Sequence, residues 1–244
     1  KEAPDPVFKN KLIQTLEEQL SKKEDRHRMI HARIKHKSGA EDGRTALIFG
    51  PLLYLPANTL WQSLRSSCFD NESMPQKGGE LLHYEFWPNY NKTEHTSNES
   101  YVEPDLLLEF EYFNLLVEIK RKDVQSYRQY EGQWKNEIQA FVNGQTHGEN
   151  KPLLLIALGG NTSPEAFHTP LGRIYKSSWN SLLNQICIRQ EQEKPYTPAY
   201  RILHDLESAF GLYHEFRIRK WLGQISPYGI TNNTSDTIRT IWKR

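Results

Sequence analysis

The residues best suited to chemistry lie in two short runs near the middle of the chain. The first run contains Pro104 and Asp105, and the second contains Glu118, Ile119 and Lys120. Two carboxylates a few ångströms apart repel each other unless a cation lies between them. Mg²⁺ prefers hard oxygen ligands and keeps water molecules that can be directed at phosphorus, while a neighbouring lysine can stabilise charge on a phosphate. These residue types are therefore suited to metal-dependent cleavage of phosphodiester bonds.

The two runs must form neighbouring strands if their polar side chains are to meet. Side chains alternate along a strand, so Glu118 and Lys120 share one face. Asp105 joins that face only if the connecting loop has an even length. A four-residue loop at 112–115 pairs Glu109 with Glu118 and brings Asp105 diagonally near Lys120. A three-residue loop would separate the acids, and the sequence is compatible with both. The alternative without a catalytic role is a salt bridge between Glu118 and Lys120 on a half-exposed hairpin.

The surrounding pattern predicts an α/β domain. Three successive strands are most simply antiparallel, whereas a strand–helix–strand crossover implies a parallel pair. The sheet is therefore expected to be mixed, with helices on its faces and a polar, exposed insertion at 89–100. The predicted elements are helices at 8–20, 38–50 and 58–65, strands at 81–87, 102–111 and 115–120, a helix at 124–142, a strand at 153–158, and a mostly helical remainder with helices at 178–192 and 198–216.

Together, these motifs and their order resemble the PD-(D/E)XK nuclease superfamily. Pro104-Asp105 matches its first half-motif and Glu118-Ile119-Lys120 its second, and the helix, three strands, helix and strand follow the order of its core. The resemblance covers about residues 38–160. It extends to three further segments. Some bacterial members carry a Gln-Leu-x-x-Glu run, which is similar to Gln133-Trp134-Lys135-Asn136-Glu137 with Trp134 in place of a small aliphatic residue. That subgroup is also similar to this chain at Phe86-Trp87-Pro88 and at Glu41-Asp42-x-x-Thr45.

The resemblance implies a three-layer α/β/α, restriction-endonuclease-like core with a mixed central sheet and extra helices at both ends. It also implies a nuclease that hydrolyses DNA with Mg²⁺ or Mn²⁺, in a prokaryotic restriction, defence or mobile-element setting. The chain is accordingly divided into a basic helical segment at 1–37, the nuclease core at 38–160 and a helical elaboration of the same domain at 161–244. The implied site consists of Asp105 and Glu118 as metal ligands with the Ile119 carbonyl, Lys120 as the catalytic lysine, Gln133 as an active-site support and Glu41 as an additional carboxylate ligand.

Two of these residues have structural alternatives. Glu41 is the third residue after Ser38, so the pair fits a capping box at a helix start equally well. Gln133 is of a type that usually lies on a solvated helix face, and only its position in the motif favours a place in the site.

The charge distribution favours one particular segment for contacts with nucleic acid. The chain has 31 basic and 30 acidic residues, so its overall charge does not indicate a nucleic-acid-binding protein. Residues 22–37 nevertheless carry seven basic against two acidic side chains. This segment is either a solvated helix face or a phosphate-binding surface, for which we select Lys22, Lys23, Arg33 and Lys35. DNA is the expected partner, with RNA left open.

The remaining features exclude several classes of protein. Two distant cysteines, Cys68 and Cys187, argue against a disulfide scaffold or a structural zinc site. No apolar run approaches the length of a membrane span, so the expected location is the cytoplasm. Two rivals to a nuclease stay open: a non-catalytic nucleic-acid-binding or assembly module that keeps the fold, and a helical interaction protein. In either case the C-terminal helices, with Trp179, Trp221 and Trp242, could contact a partner subunit.

Overall fold

A computed structural model describes residues 41–98, 100–123, 128–145, 151–161 and 164–211, with the backbone alone at 41–44. The predicted helix at 8–20 and the basic segment lie outside these ranges. The elements in chain order are α1 (Glu41–Leu52), α2 (Ala57–Ser67), β1 (Leu81–Phe86), β2 (Leu106–Phe110), β3 (Asn114–Ile119), α3 (Glu131–Gly144), β4 (Leu153–Leu158), β5 (Phe167–His168), β6 (Arg173–Ser177), α4 (Trp179–Gln192) and α5 (Pro198–Ala209).

The strands form one mixed sheet in the order β1-β2-β3-β4-β6-β5. The first three are antiparallel neighbours, β3 pairs parallel with β4 and β4 with β6, and β5 runs antiparallel at the edge. The crossover from β3 to β4 contains α3, as parallel pairing requires. The predicted mixed sheet is therefore confirmed.

Helices cover both faces of the sheet and give the molecule three layers. On one face α3 packs through Trp134 and Ile138 against Leu107, Leu116 and Leu155. The other four helices share a larger core with the opposite sides of the same strands. Every residue of β3 and β4 is buried, which explains why both strands are almost continuously apolar.

Two element predictions upstream of β4 need correction. The strand expected from residue 102 begins at Leu106, because Val102 pairs with Tyr90 in an isolated bridge instead. The helix expected from residue 124 begins at Glu131, since Tyr130 is extended at its N-cap (φ −124°, ψ 125°).

The expectation of a mostly helical chain after residue 160 is wrong for 167–177. There β5 and β6 continue the sheet, with Leu155 of β4 paired to Ile174. The sheet thus crosses the boundary at residue 160, and α4 and α5 pack into the same core as α1 and α2. Trp179 is fully buried in that core and offers no partner surface, whereas Trp221 and Trp242 lie outside the described ranges.

The hairpin between β2 and β3 has an even-length loop, but its register differs from the one expected. Phe110 N–H donates to the Phe113 carbonyl at 2.9 Å, so the turn contains only Glu111 and Tyr112. Glu109 therefore pairs with Asn114 rather than with Glu118. Because the turn is shorter than expected, the partner of Glu109 lies four positions earlier in the chain. The shift is an even number of residues, so Asp105 and Glu118 stay on one face of the sheet.

None of the helices in the described ranges combines the length and the apolar character that crossing a bilayer requires.

Candidate active site

The site is built around Asp105, the residue directly before β2, and Glu118 of β3. Leu106 pairs with Val117, and continuing this register by one residue places Asp105 opposite Glu118. The Phe110–Phe113 pair is hydrogen-bonded, so by alternation the Asp105–Glu118 position is a non-hydrogen-bonded pair, the type with the closer side chains. Cβ atoms in such pairs lie about 4.5–5.5 Å apart. The two carboxylates therefore project from the same face at close range.

Glu118 accepts two side-chain hydrogen bonds within the site. Its side chain is buried, and Oε1 accepts hydrogen bonds from Lys120 Nζ at 2.5 Å and from Gln133 Nε2 at 2.7 Å. The lysine is two residues along the same strand and the glutamine is on the first turn of α3. The structure thus brings together Asp105, Glu118, Lys120 and Gln133; the roles assigned to them stay predictions.

Asp105 is tied to the backbone of the neighbouring strand. Its Oδ2 accepts a 2.8 Å hydrogen bond from the Ile119 amide. In the same register Pro104 lies opposite Ile119, and proline has no N–H to donate. The Ile119 carbonyl oxygen therefore receives no backbone hydrogen bond from Pro104, which leaves it suited to bind a cation.

A further carboxylate, Glu137, faces the site from α3, one helical turn after Gln133. Only 1% of its surface is exposed, and its Oε2 has no hydrogen-bond partner among the described residues. Burial raises the pKa of Glu137 well above its usual value, and the nearby Glu118 and Asp105 carboxylates raise it further, against a smaller opposing effect of Gln133. The sequence analysis included Glu137 in the Gln133–Glu137 run without assigning it a role. Its four-residue spacing from Gln133 was the available signal.

Two residues beside the site hold the ends of β3 and β4 together. Gln129 Nε2 donates to the carbonyls of Glu118 and Leu158, at 3.2 and 3.3 Å. Gln129 Oε1 in turn accepts a 2.8 Å hydrogen bond from the buried indole of Trp134. Trp134 thus supplies Gln129 with a hydrogen-bond donor that a small aliphatic residue at position 134 would lack.

The chain leaving Lys120 is anchored to the start of α4. Trp179 Nε1 donates to the Lys120 carbonyl at 2.7 Å, and Asp123 accepts from the backbone amides of Trp179 and Asn180 at 2.9 and 3.1 Å. Burial raises the pKa of Asp123, and these two hydrogen bonds oppose the rise. Gly159 (φ +77°) passes so close that a Cβ there would lie 2.6 Å from the Lys120 carbonyl, which favours glycine at this position.

Several predicted site residues cannot be compared with this geometry. Glu41 is the first residue of α1, but its side chain and Ser38 lie outside the described atoms, as do Lys22, Lys23, Arg33 and Lys35. The choice between a ligand and a capping role for Glu41 stays open. Across the described ranges, no three His, Cys, Asp or Glu side chains are grouped so that they alone could hold a metal ion.

Comparisons with known proteins place the chain beside an uncharacterized relative. Over 132 residues, which are 54% of this chain, it is 33% identical to the uncharacterized protein PM0110 of Pasteurella multocida (strain Pm70). The matched region spans about half of that relative, 46% of its length. No protein-family model and no solved structure matches the chain.

Proposed function

We propose that this protein is a metal-dependent nuclease that hydrolyses phosphodiester bonds in DNA, with Asp105, Glu118 and Lys120 at its centre. The observation that carries the proposal is that Asp105, directly before β2, bonds to the Ile119 amide next to Glu118, while Lys120 Nζ donates to a Glu118 oxygen. A salt bridge on an exposed hairpin would be solvated, whereas Glu118 is 2% exposed and lies beneath α3. Burying this many charges around one point is costly unless they serve a ligand or one another.

The arrangement fits a small divalent cation. Asp105 and Glu118 supply two carboxylates, and both add to the effect of burial in raising the pKa of the neighbouring Glu137. A bound cation would relieve that part of the rise which comes from repulsion between carboxylates. Mg²⁺ is commonly held by only one or two protein carboxylates, with water and substrate phosphate completing its shell. Asp105 and Glu118 would hold the ion, with the Ile119 carbonyl as a third oxygen. Mn²⁺ takes the same oxygen ligands. When bound, such an ion neutralises charge on the phosphate and lowers the pKa of water.

The protein's own groups would orient the reaction around that ion. Lys120 carries a compact ammonium group with three donors, which suits it to hold both a water molecule and a phosphate oxygen. Gln133 fixes the orientation of the Glu118 carboxylate by occupying Oε1. The Asp105 carboxylate is held in the same way by the Ile119 amide. In hydrolysis a water oxygen bonds to phosphorus as the phosphorus–oxygen bond to the leaving nucleotide breaks.

The proposal is tested by incubating the full chain with supercoiled plasmid, linear duplex and single-stranded DNA, each with Mg²⁺, with Mn²⁺ and with EDTA. We expect cleavage of at least one substrate with a divalent metal and none with EDTA, read on denaturing gels. Cleavage that persists unchanged in EDTA would contradict the proposed chemistry.

A further inference from the structure

A cleft of about 580 Å³ opens directly beside the candidate active site. Its inner wall is the first two turns of α3, where Gln133 and Glu137 face both the cleft and Glu118. Its outer wall is formed by residues 97–98 and 101–103. The volume lies within the range of small-ligand sites, which is roughly 300–1,000 Å³.

Two asparagines of α3, spaced seven residues apart, hold the start of the outer wall and the chain that leads into it. The Asn136 amide accepts from the Ser97 N–H at 3.1 Å and donates to Ser97 Oγ at 2.6 Å and to Asn98 Oδ1 at 3.1 Å. Two turns later, Asn143 donates to the carbonyls of Lys92 and Glu94 at 3.1 and 2.7 Å. The insertion at 89–100 was predicted to be exposed, but its described residues are hydrogen-bonded to α3 and form one side of the cleft.

The charges of the cleft argue against a phosphate as its occupant. Of the described residues that line it, two are acidic, Glu103 and Glu137, and none is basic. A phosphate placed there would meet repulsion without a counter-charge. The polar walls of the cleft instead suit a group without negative charge that can donate hydrogen bonds, and a neutral nucleobase is such a group.

The cleft also carries an aromatic ring that is available for stacking. Tyr101 lines it and is 49% exposed, while its carbonyl accepts a 3.0 Å hydrogen bond from Asn98 Nδ2 that fixes its backbone. Aromatic side chains stack on bases of any sequence, because every nucleobase has a π-face. Asn98 and Ser97 add neutral polar groups of the kind that read base edges.

We propose that this cleft binds an unpaired nucleobase next to the phosphate that reaches Asp105 and Glu118. The inference rests on the proposed nuclease function and names its substrate class: DNA with unpaired nucleotides, such as single strands, flaps and frayed ends. A base within an intact duplex would first have to leave its stack, and this unfavourable step disfavours duplex DNA as the substrate.

Gly132 provides the sharpest test, because it lines the cleft and a Cβ built there meets nothing within 4 Å. Gly132→Trp should fill the cleft without disturbing the helix. The matched control is Gly50→Trp, at another helical glycine with equally open space, in α1 and away from the cleft. A second pair compares Tyr101→Ala with Tyr54→Ala, a tyrosine that is 60% exposed in the connection between α1 and α2.

The measurement is the Kd of the full-length protein for a labelled single-stranded oligonucleotide and for a blunt duplex, by fluorescence anisotropy in Ca²⁺. The oligonucleotide is checked for intactness after each titration. We expect Gly132→Trp to weaken single-strand binding by about tenfold or more. Tyr101→Ala should weaken it by roughly 5- to 100-fold, as expected for one lost stacking contact. Both controls should bind like wild type, and duplex binding should change little in every variant.

The outcomes separate this inference from the nuclease proposal. Wild-type single-strand binding by a folded Gly132→Trp and by Tyr101→Ala would overturn the cleft assignment, even if the protein cleaves DNA. A wild-type protein that binds single strands through the cleft but never cleaves would uphold the assignment and overturn the nuclease. If Gly132→Trp does not fold, as judged by circular dichroism, the Tyr101 pair decides alone.

Discussion

Gln133 Nε2 and Lys120 Nζ share one acceptor, the Oε1 atom of Glu118, at 2.7 and 2.5 Å. The glutamine comes from α3 and the lysine directly follows β3, so the carboxylate is held from two layers of the fold. Gln133→Leu removes the amide donor and leaves an apolar side chain that is one bond shorter. We expect the cleavage rate or metal affinity to fall by about 10- to 100-fold, as for other residues that orient metal ligands.

The matched control is Gln190→Leu, a half-buried glutamine on α4 that lies on the opposite face of the sheet. It should cleave at the wild-type rate. Steady-state cleavage and Mn²⁺ titration of both variants provide the measurement. Equal rates in Gln133→Leu and wild type would show that the hydrogen bond to Glu118 has no functional consequence.

Lys120 is expected to act on water and phosphate rather than on the metal. Lys120→Met should therefore keep Mn²⁺ binding, measured by calorimetry, yet lose about 10²- to 10⁴-fold in turnover. It should also cost about 1–3 kcal/mol of stability, because Glu118 stays buried with one donor fewer. Lys151→Met, a half-buried lysine that donates to the Phe110 carbonyl, is the control for charge removal. A Lys120→Met protein with normal turnover would reduce this lysine to a structural ion-pair partner.

Glu137 gives the stability a specific dependence on pH. Its pKa is raised in the folded state, so the folded protein keeps a proton that the unfolded chain loses above about pH 4. The unfolded state is therefore increasingly favoured as pH rises towards the folded-state pKa. Glu137→Gln removes this penalty. In EDTA, its Tm should exceed that of wild type by a margin that grows as the pH rises above about 4.

Glu131→Gln serves as the control, because Glu131 is exposed on the same helix. Its Tm should follow that of wild type across the pH range. A constant difference between Glu137→Gln and wild type at all pH values would mean that Glu137 does not carry a perturbed proton.

The central strands of the sheet could be predicted because helices cover both of their faces. Burial on two sides demands continuous apolar residues, and the run Leu153–Leu158 coincides with β4. β6 escaped prediction because Arg173 and Lys176 interrupt its apolar residues, and β5 has only two residues. Neither segment presents a period that distinguishes a strand from a loop.

The exact register between β2 and β3 could not be predicted, because it depends on the length of the turn that joins them. The turn at Glu111–Tyr112 lacks the glycine or asparagine that usually marks a two-residue hairpin, so its length could not be anticipated. The alternation of side chains nonetheless placed Glu118 and Lys120 on one face. The position of Glu137 follows from how α3 lies on the sheet, which is a tertiary relationship.

The central claim is that Asp105 and Glu118 form one metal-dependent centre, and Asp105→Asn tests it most directly. Asparagine keeps an oxygen that can accept from the Ile119 amide but loses the charge that a cation requires. Glu109→Gln, on the same face of β2, controls for loss of a carboxylate. Measured as DNA cleavage in Mg²⁺ by proteins with matching circular dichroism, Asp105→Asn should be inactive and Glu109→Gln should match wild type. Cleavage by Asp105→Asn at the wild-type rate would contradict the account.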